Sequence, residues 1–123
     1  MYEKTDKSGI DEQIGRALYH SIVEDNLAIY RETFNEKGDI SEWIEYWQKA
    51  VALYRTLDES QREVFFSILR QTITDTVSNV LAVLDNVASL TGDWRFSVTA
   101  NGVDTEEGLQ DAFLAYVEEL EDL

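Results

Sequence analysis

The sequence predicts a mainly α fold: four helices around a long central one, with one short strand near residues 94–99. Three observations lead there. Apolar residues recur at spacings of three and four along most of the chain. There is no Pro, and no Gly between Gly38 and Gly92 to interrupt a long middle segment. Only one stretch, Trp94-Arg95-Phe96-Ser97-Val98-Thr99, alternates apolar and polar residues without a fault. The class becomes α+β if that strand finds a partner. A length of 123 residues and a 44% apolar content fit one globular domain over residues 1–123.

The first helix is expected over about Ile10–Phe34. Its apolar face is Ile10, Ile14, Ala17, Leu18, Ile22, Val23, Leu27, Tyr30 and Phe34. Glu12 and Arg16 form a favourable i,i+4 pair, and Asp25-Asn26 is a point of bending. Gly38 ends the segment. Asp39 opens the second helix in a capping box with Glu42. The buried stripe there is Ile40, Trp43, Ile44, Trp47, Val51, Tyr54 and Leu57, with Glu45 and Lys49 paired outside and Tyr46 off the stripe.

The third helix is the spine, opened by a capping box of Ser60 and Glu63. Phe66, Leu69, Ile73, Thr76, Val80, Val83, Val87 and Leu90 make a heptad-like seam. Phe65, Val77, Leu81 and Leu84 widen it, so several neighbours pack on this helix. Asp85-Asn86 is a place where its end can loosen. The Trp94–Thr99 strand then meets the turn signal Asn101-Gly102, which leaves only Val103 before the next cap. Its partners are then the N-terminal segment near Tyr2–Lys7 or the same strand of a second copy, or the stretch stays an unpaired extended segment. Asp104 with Glu107 caps the last helix, whose face is Leu109, Phe113, Leu114, Val117 and Leu120.

Charge limits function more than it limits fold. The chain carries a net −15, and Arg95 is its last basic residue. Asp104, Glu106, Glu107, Asp111, Glu118, Glu119, Glu121 and Asp122 follow with no cation to balance them. Such a field opposes nucleic acid and anionic lipid and favours basic protein surfaces. No Cys is present, so thiolate metal sites and disulfides are excluded. Met1–Lys7 has no apolar core of a signal peptide, and no apolar run approaches a membrane span. A soluble cytoplasmic protein is expected.

No motif carries chemistry. Gly38-Asp39-Ile40 sits where an EF-hand loop has its centre, but the register puts Thr33 at position one, Lys37 at five and Ile44 at twelve, which excludes calcium. His20 is the only histidine and lies about 200° around its helix from Leu18, on the solvent side. Asp75 and Asp85 are separated by about 15 Å of helix rise on faces about 80° apart, too far to act on one bond. They read as hydrogen-bonded or edge-of-face polar residues. No catalytic residue, cofactor or metal is assigned.

The C-terminal acids remain. Glu118, Glu119, Glu121 and Asp122 crowd the negative end of a helix dipole, at a cost of about 0.3–1 kcal/mol each at low salt. Two readings fit: a docking surface for a basic protein, or a solvated tail. The expected function is a small non-enzymatic protein that docks a basic partner, as an inhibitor or immunity-like protein would. Asp111, Glu118, Glu119, Glu121, Asp122 and the off-stripe Tyr46 would make the contacts. The alternative is a small structural or regulatory homodimer joined through the strand edge.

Overall fold

A computed structural model describes residues 7–122, with side chains from Gly9 onward. The elements are α1 (Lys7–Leu18), a π-helical turn (Tyr19–Glu24), α2 (Asp25–Phe34), α3 (Glu45–Arg55), α4 (Glu59–Leu84), β1 (Thr99–Ala100), β2 (Val103–Asp104) and α5 (Leu109–Glu121). The fold is mainly helical with a small antiparallel sheet, and α1, the π turn and α2 run on as one rod.

The irregularity in that rod falls one turn before the Asp25-Asn26 step. Asn26 Nδ2 takes the Ile22 carbonyl at 2.7 Å, and the Asp25 amide reaches back five residues to His20 O. A side-chain amide on a ladder carbonyl favours such a bulge. The wider turn keeps Gly15, Tyr19, Val23 and Leu27 on one buried side, although strict α-geometry would rotate them apart. Tyr19 thus enters the core, while Ile22 and Ala17 of the predicted face are exposed. Arg16 leaves Glu12 and turns to α5.

Asp39 does not cap a helix. Its Oδ1 accepts from Ser41 N at 2.9 Å in an Asx turn, which holds its carboxyl below the usual carboxylate range. α3 begins later, after Ile44. The predicted Glu45–Lys49 pair forms at 2.7 Å on the exposed side. The box that opens α4 lies two residues before the one expected: Asp58 accepts from Gln61 N at 2.8 Å, and Gln61 Oε1 accepts from Asp58 N at 2.9 Å.

α4 ends at Leu84, short of the predicted seam. Asn86 adopts φ 62°, and Val87 N bonds Ala82 O at 2.8 Å, closing the helix with a left-handed residue. Val80 and Val87 are 52% and 70% exposed, so the seam's C-terminal half is not core. Thr74, Ser78, Leu81, Ala82 and Asp85 are buried instead. Apolar spacing does not mark this side, where small polar residues sit and on which the π turn and α5 pack.

Two apolar clusters result. One gathers Tyr19, Val23, Leu81, Leu109 and Phe113 between α1, the π turn, α4 and α5. The other gathers Leu27, Phe34, Val51, Tyr54 and Phe66 between α2, α3 and the first half of α4. Gly15 permits the first: a Cβ there would sit 3.0 Å from the backbone of Ala112 and Phe113. Only Gly lets α1 and α5 approach this closely.

The strand differs from its prediction. Residues 94–98 form no ladder; β1 is Thr99–Ala100, paired with Val103–Asp104 across the Asn101-Gly102 turn. The hairpin arm excluded on length grounds exists because two residues suffice and α5 starts later, after Gly108. Of the alternative partner Tyr2–Lys7, residues 2–6 lie outside the described residues and Lys7 opens α1. Phe96 and Val98 in this extended stretch find partners outside any ladder. Asn86 donates to Phe96 O at 2.8 Å and accepts from Phe96 N at 2.9 Å, as a neighbouring strand would. Val98 O accepts from Thr105 N at 3.0 Å and Thr105 Oγ1 at 3.1 Å.

Candidate docking surface on the C-terminal helix

α5 is placed from beneath by two buried residues, Leu109 and Phe113. Its N-terminus is not capped by Asp104, which instead accepts from Glu106 N at 2.7 Å within a turn. The cap comes from the end of α4: Asp85, 2% exposed, accepts from Gln110 N at 2.7 Å. A carboxylate on a helix N-terminus is favourable both as acceptor and against the dipole. This is the structural role of Asp85, while Asp75 stays exposed and accepts from Gln71 Nε2 at 2.8 Å.

With Phe113 inward, Asp111, Leu114, Glu118, Glu121 and Asp122 share the outward side, at offsets of 3, 7, 10 and 11 from the first. All are exposed. Leu114, expected in the core, is 37% exposed at the centre of this stripe. The side chains of Asp111, Glu118, Glu121 and Asp122 make no hydrogen bond or ion pair among the described residues. No basic residue lies in the last turn of α5 to offset its dipole. Glu119 stands apart, 3.9 Å from Arg16 Nη1 with both ends about half exposed, a pair of little energetic weight.

Tyr46 is not part of this surface. It is 67% exposed on α3, edge-on to Trp47 with ring centroids 5.1 Å apart, and α3 packs on α2 whereas α5 packs on α1 and α4. His20 is exposed, as its helix position suggested, but its ring is held by two partners. Nδ1 meets Glu24 Oε1, and Nε2 lies 2.9 Å from Tyr116 Oη. With Arg16 stacked 4.7 Å over the same Tyr116 ring, it straps the π turn to α5. Nothing in the spacing of His20 and Tyr116 signalled this, because 96 residues separate them.

A second acidic locus lies at the other end of α5. Asp11 Oδ1 and Asp85 Oδ1 are buried without a hydrogen-bond partner. Burial pushes the Asp11 carboxyl up from its ordinary value, and Asp85, Glu106 and Asp104 add to the rise. Glu106 and Glu107 both take left-handed backbone conformations at φ 54° and 60°. Glu107 Oε2 accepts from Asn86 Nδ2 at 2.6 Å and from Arg95 Nη2 at 3.3 Å. Among the described residues no three His, Cys, Asp or Glu are arranged to hold a metal. No described helix is long and apolar enough to cross a membrane.

Compared with known proteins, the chain matches no family model, no curated protein and no solved structure.

Proposed function

We propose that this chain is a non-enzymatic protein-binding protein whose α5 docks a basic protein partner. The observation that carries the reading is the unpaired stripe of Asp111, Glu118, Glu121 and Asp122 around the half-open Leu114. Four carboxylates on one face repel each other, and three of them oppose the helix dipole. A cation-rich surface would relieve both costs, and Leu114 would give it an apolar centre. The same field, with bases scattered rather than gathered along a groove, makes nucleic acid an unsuitable partner. A random duplex should show no micromolar gel shift at about 100 mM salt.

The test compares wild type with a variant carrying Asp111→Asn, Glu118→Gln, Glu121→Gln and Asp122→Asn. Proteins captured from native lysate are identified and then titrated by calorimetry at about 50 and about 300 mM salt. The reading expects a basic protein that binds wild type, weakens with salt, and loses both affinity and salt dependence with the variant. An identical partner set with identical salt sensitivity overturns it.

A specific observation favours the homodimer as second reading. Thr76 and Val80 share one side of α4, and Val80 there and Val87 just past the helix end stand open. The two-residue arms β1 and β2 provide few backbone groups for joining copies edge to edge, so this face would supply the contact. Light scattering at micromolar concentration separates the readings, since only the second requires a dimer.

A further inference from the structure

The bases of this chain are distributed unevenly. Residues 31–70 hold six of the ten Lys and Arg, against eight of the 25 acids. In a chain so rich in carboxylates, each of these bases has acids within easy reach in sequence. Yet among the described residues Arg31, Lys37, Arg55, Arg62 and Arg70 make no ion pair with a carboxylate.

Three of them meet in one place. Lys37, Arg55 and Arg62 line a cleft of about 330 Å³ with Phe34, Asn35, Glu36 and Tyr54. It forms where α2 and α3 both end. Arg55 Nη2 donates to Glu36 O at 2.7 Å and Gly38 O at 3.2 Å, which holds the loop after α2. Arg62 Nη2 donates to Arg55 O at 3.3 Å, and its guanidinium stacks 4.5 Å over the Tyr54 ring. The Nε of Arg62 is buried with no acceptor. The Lys37 side chain makes no hydrogen bond or ion pair among the described residues. The one acid in the lining, Glu36, turns a carboxylate oxygen to Gly38 N at 2.9 Å.

The local charge does not close. Two helix C-termini contribute about half a negative charge each, and Glu36 a full one, against three cations. Roughly one positive charge is left without a counter-charge inside a protein of net −15. The stacked ring and buried Nε leave Arg62 partly stripped of water, which strengthens its field in the cleft. Arg55 keeps its Nε–H and both Nη1 hydrogens uncommitted, and Lys37 keeps all three of its own. Together these donors suit an acceptor with several oxygens.

We infer that this cleft binds a small oxyanion of the phosphate class, held by Lys37, Arg55 and Arg62. The site is independent of α5, so either can fail alone. It is a single point rather than a track of bases, and the surrounding −15 field keeps its affinity modest and salt-sensitive.

The probe is inorganic phosphate, titrated by thermal shift and calorimetry at constant ionic strength, with chloride and acetate as parallel arms. Phosphate should raise the melting temperature saturably, chloride not at all and acetate less. Lys37→Gln breaks no contact of the fold. Its melting temperature without phosphate should stay at the wild-type value while phosphate binding weakens about tenfold, as expected for a lost charge-assisted hydrogen bond. Arg62→Gln should weaken it further; if that variant does not fold, Lys37→Gln decides. A phosphate shift no larger than that of matched chloride overturns the proposal. So does a stronger response to acetate than to phosphate, or unchanged phosphate affinity in Lys37→Gln.

Discussion

The two ends of α4 build two different interiors from one helix. Around its first half, Phe34 is ringed by Tyr30, Trp47, Tyr54, Phe65 and Phe66, with centroids 4.8–6.4 Å away. Arginines lie over the outer rings, Arg31 on Phe66 at 4.4 Å and Arg62 on Tyr54 at 4.5 Å. On its second half and C-cap the buried residues are Thr74, Ser78, Leu81, Ala82 and Asp85, all but Leu81 small or polar. Gln110 Nε2 bonds Ser78 Oγ at 3.1 Å there, and backbones approach closely past Gly15. The buried side of α4 turns by roughly a third of a revolution between the halves. One interior is filled by large rings that tolerate a shift. The other is fitted by hydrogen bonds and close backbone contact, where a shift breaks something specific.

The largest effects should sharpen that contrast. Phe113→Ala and Phe34→Ala remove side chains of equal size, within the usual range of about 3–5 kcal/mol. Phe113 is fully buried with Tyr19 as a ring neighbour at 6.2 Å, and fewer rings can close on its gap, so its loss should fall near the top of that range. The five rings around Phe34 can close on the gap, placing its loss near the bottom. Urea midpoints with unchanged m-values measure both. Equal losses would mean that the two interiors relax alike.

A medium effect probes the polar half alone. Asp85→Ala removes the cap of α5 and leaves Gln110 N–H buried without an acceptor, at a cost of about 1–2 kcal/mol. Asp85→Asn keeps an acceptor oxygen and should lose less. Hydrogen exchange of the Gln110 amide reads the same contact directly: it should be protected in wild type and fast in Asp85→Ala. If the Ala and Asn variants are equally unstable, the role given to the cap is wrong.

The smallest effect carries a sign. The carboxyl of Asp11 is raised in the folded state, first by burial and then by Asp85, Glu106 and Asp104. The protonated form therefore favours folding. Its contribution is complete below the ordinary carboxylate value and is lost as pH rises through the raised one. Asp11→Asn should be more stable than wild type at neutral pH by a fraction of a kcal/mol after solvent screening. The gain should vanish toward about pH 4. A gain that persists or grows in acid would contradict the assignment.

Legibility in the sequence followed the same divide. The aromatic half was readable: Trp47, Val51, Tyr54, Phe66 and Leu69 all lie in or against the cluster where their spacing put them. Large apolar side chains announce burial because few other places suit them. The polar half was misread. Val80, Val87 and Leu90 kept a faultless seam but stand exposed, while Thr74 and Ser78 took the interior. Periodicity reports which side of a helix is apolar; it does not report which side a neighbour approaches most closely.

The acidic stripe shows both sides of this. Its composition and its conflict with the dipole were plain from residues 111–122, and the outward position of Asp111, Glu118, Glu121 and Asp122 followed from helical spacing. That Leu114 would join them, that Glu119 would turn to Arg16, and that the helix carrying Tyr46 would pack on α2 rather than beside α5 did not follow. The basic cleft was invisible, because Lys37, Arg55 and Arg62 belong to three segments that no local pattern connects.

By itself, the sequence determined the helical class, the long spine, the exposed charge and its imbalance. These rest on local geometry and composition, which each segment carries wherever it packs. Tertiary structure alone decided where α4 stops being core, how Asn86 and Thr105 replace a missing strand partner, and that Asp85 caps a helix 25 residues away. Those outcomes depend on satisfying buried polar groups across the chain. Any Asn, Thr or Asp brought within about 3 Å can meet such a need, so sequence spacing does not single out the partner.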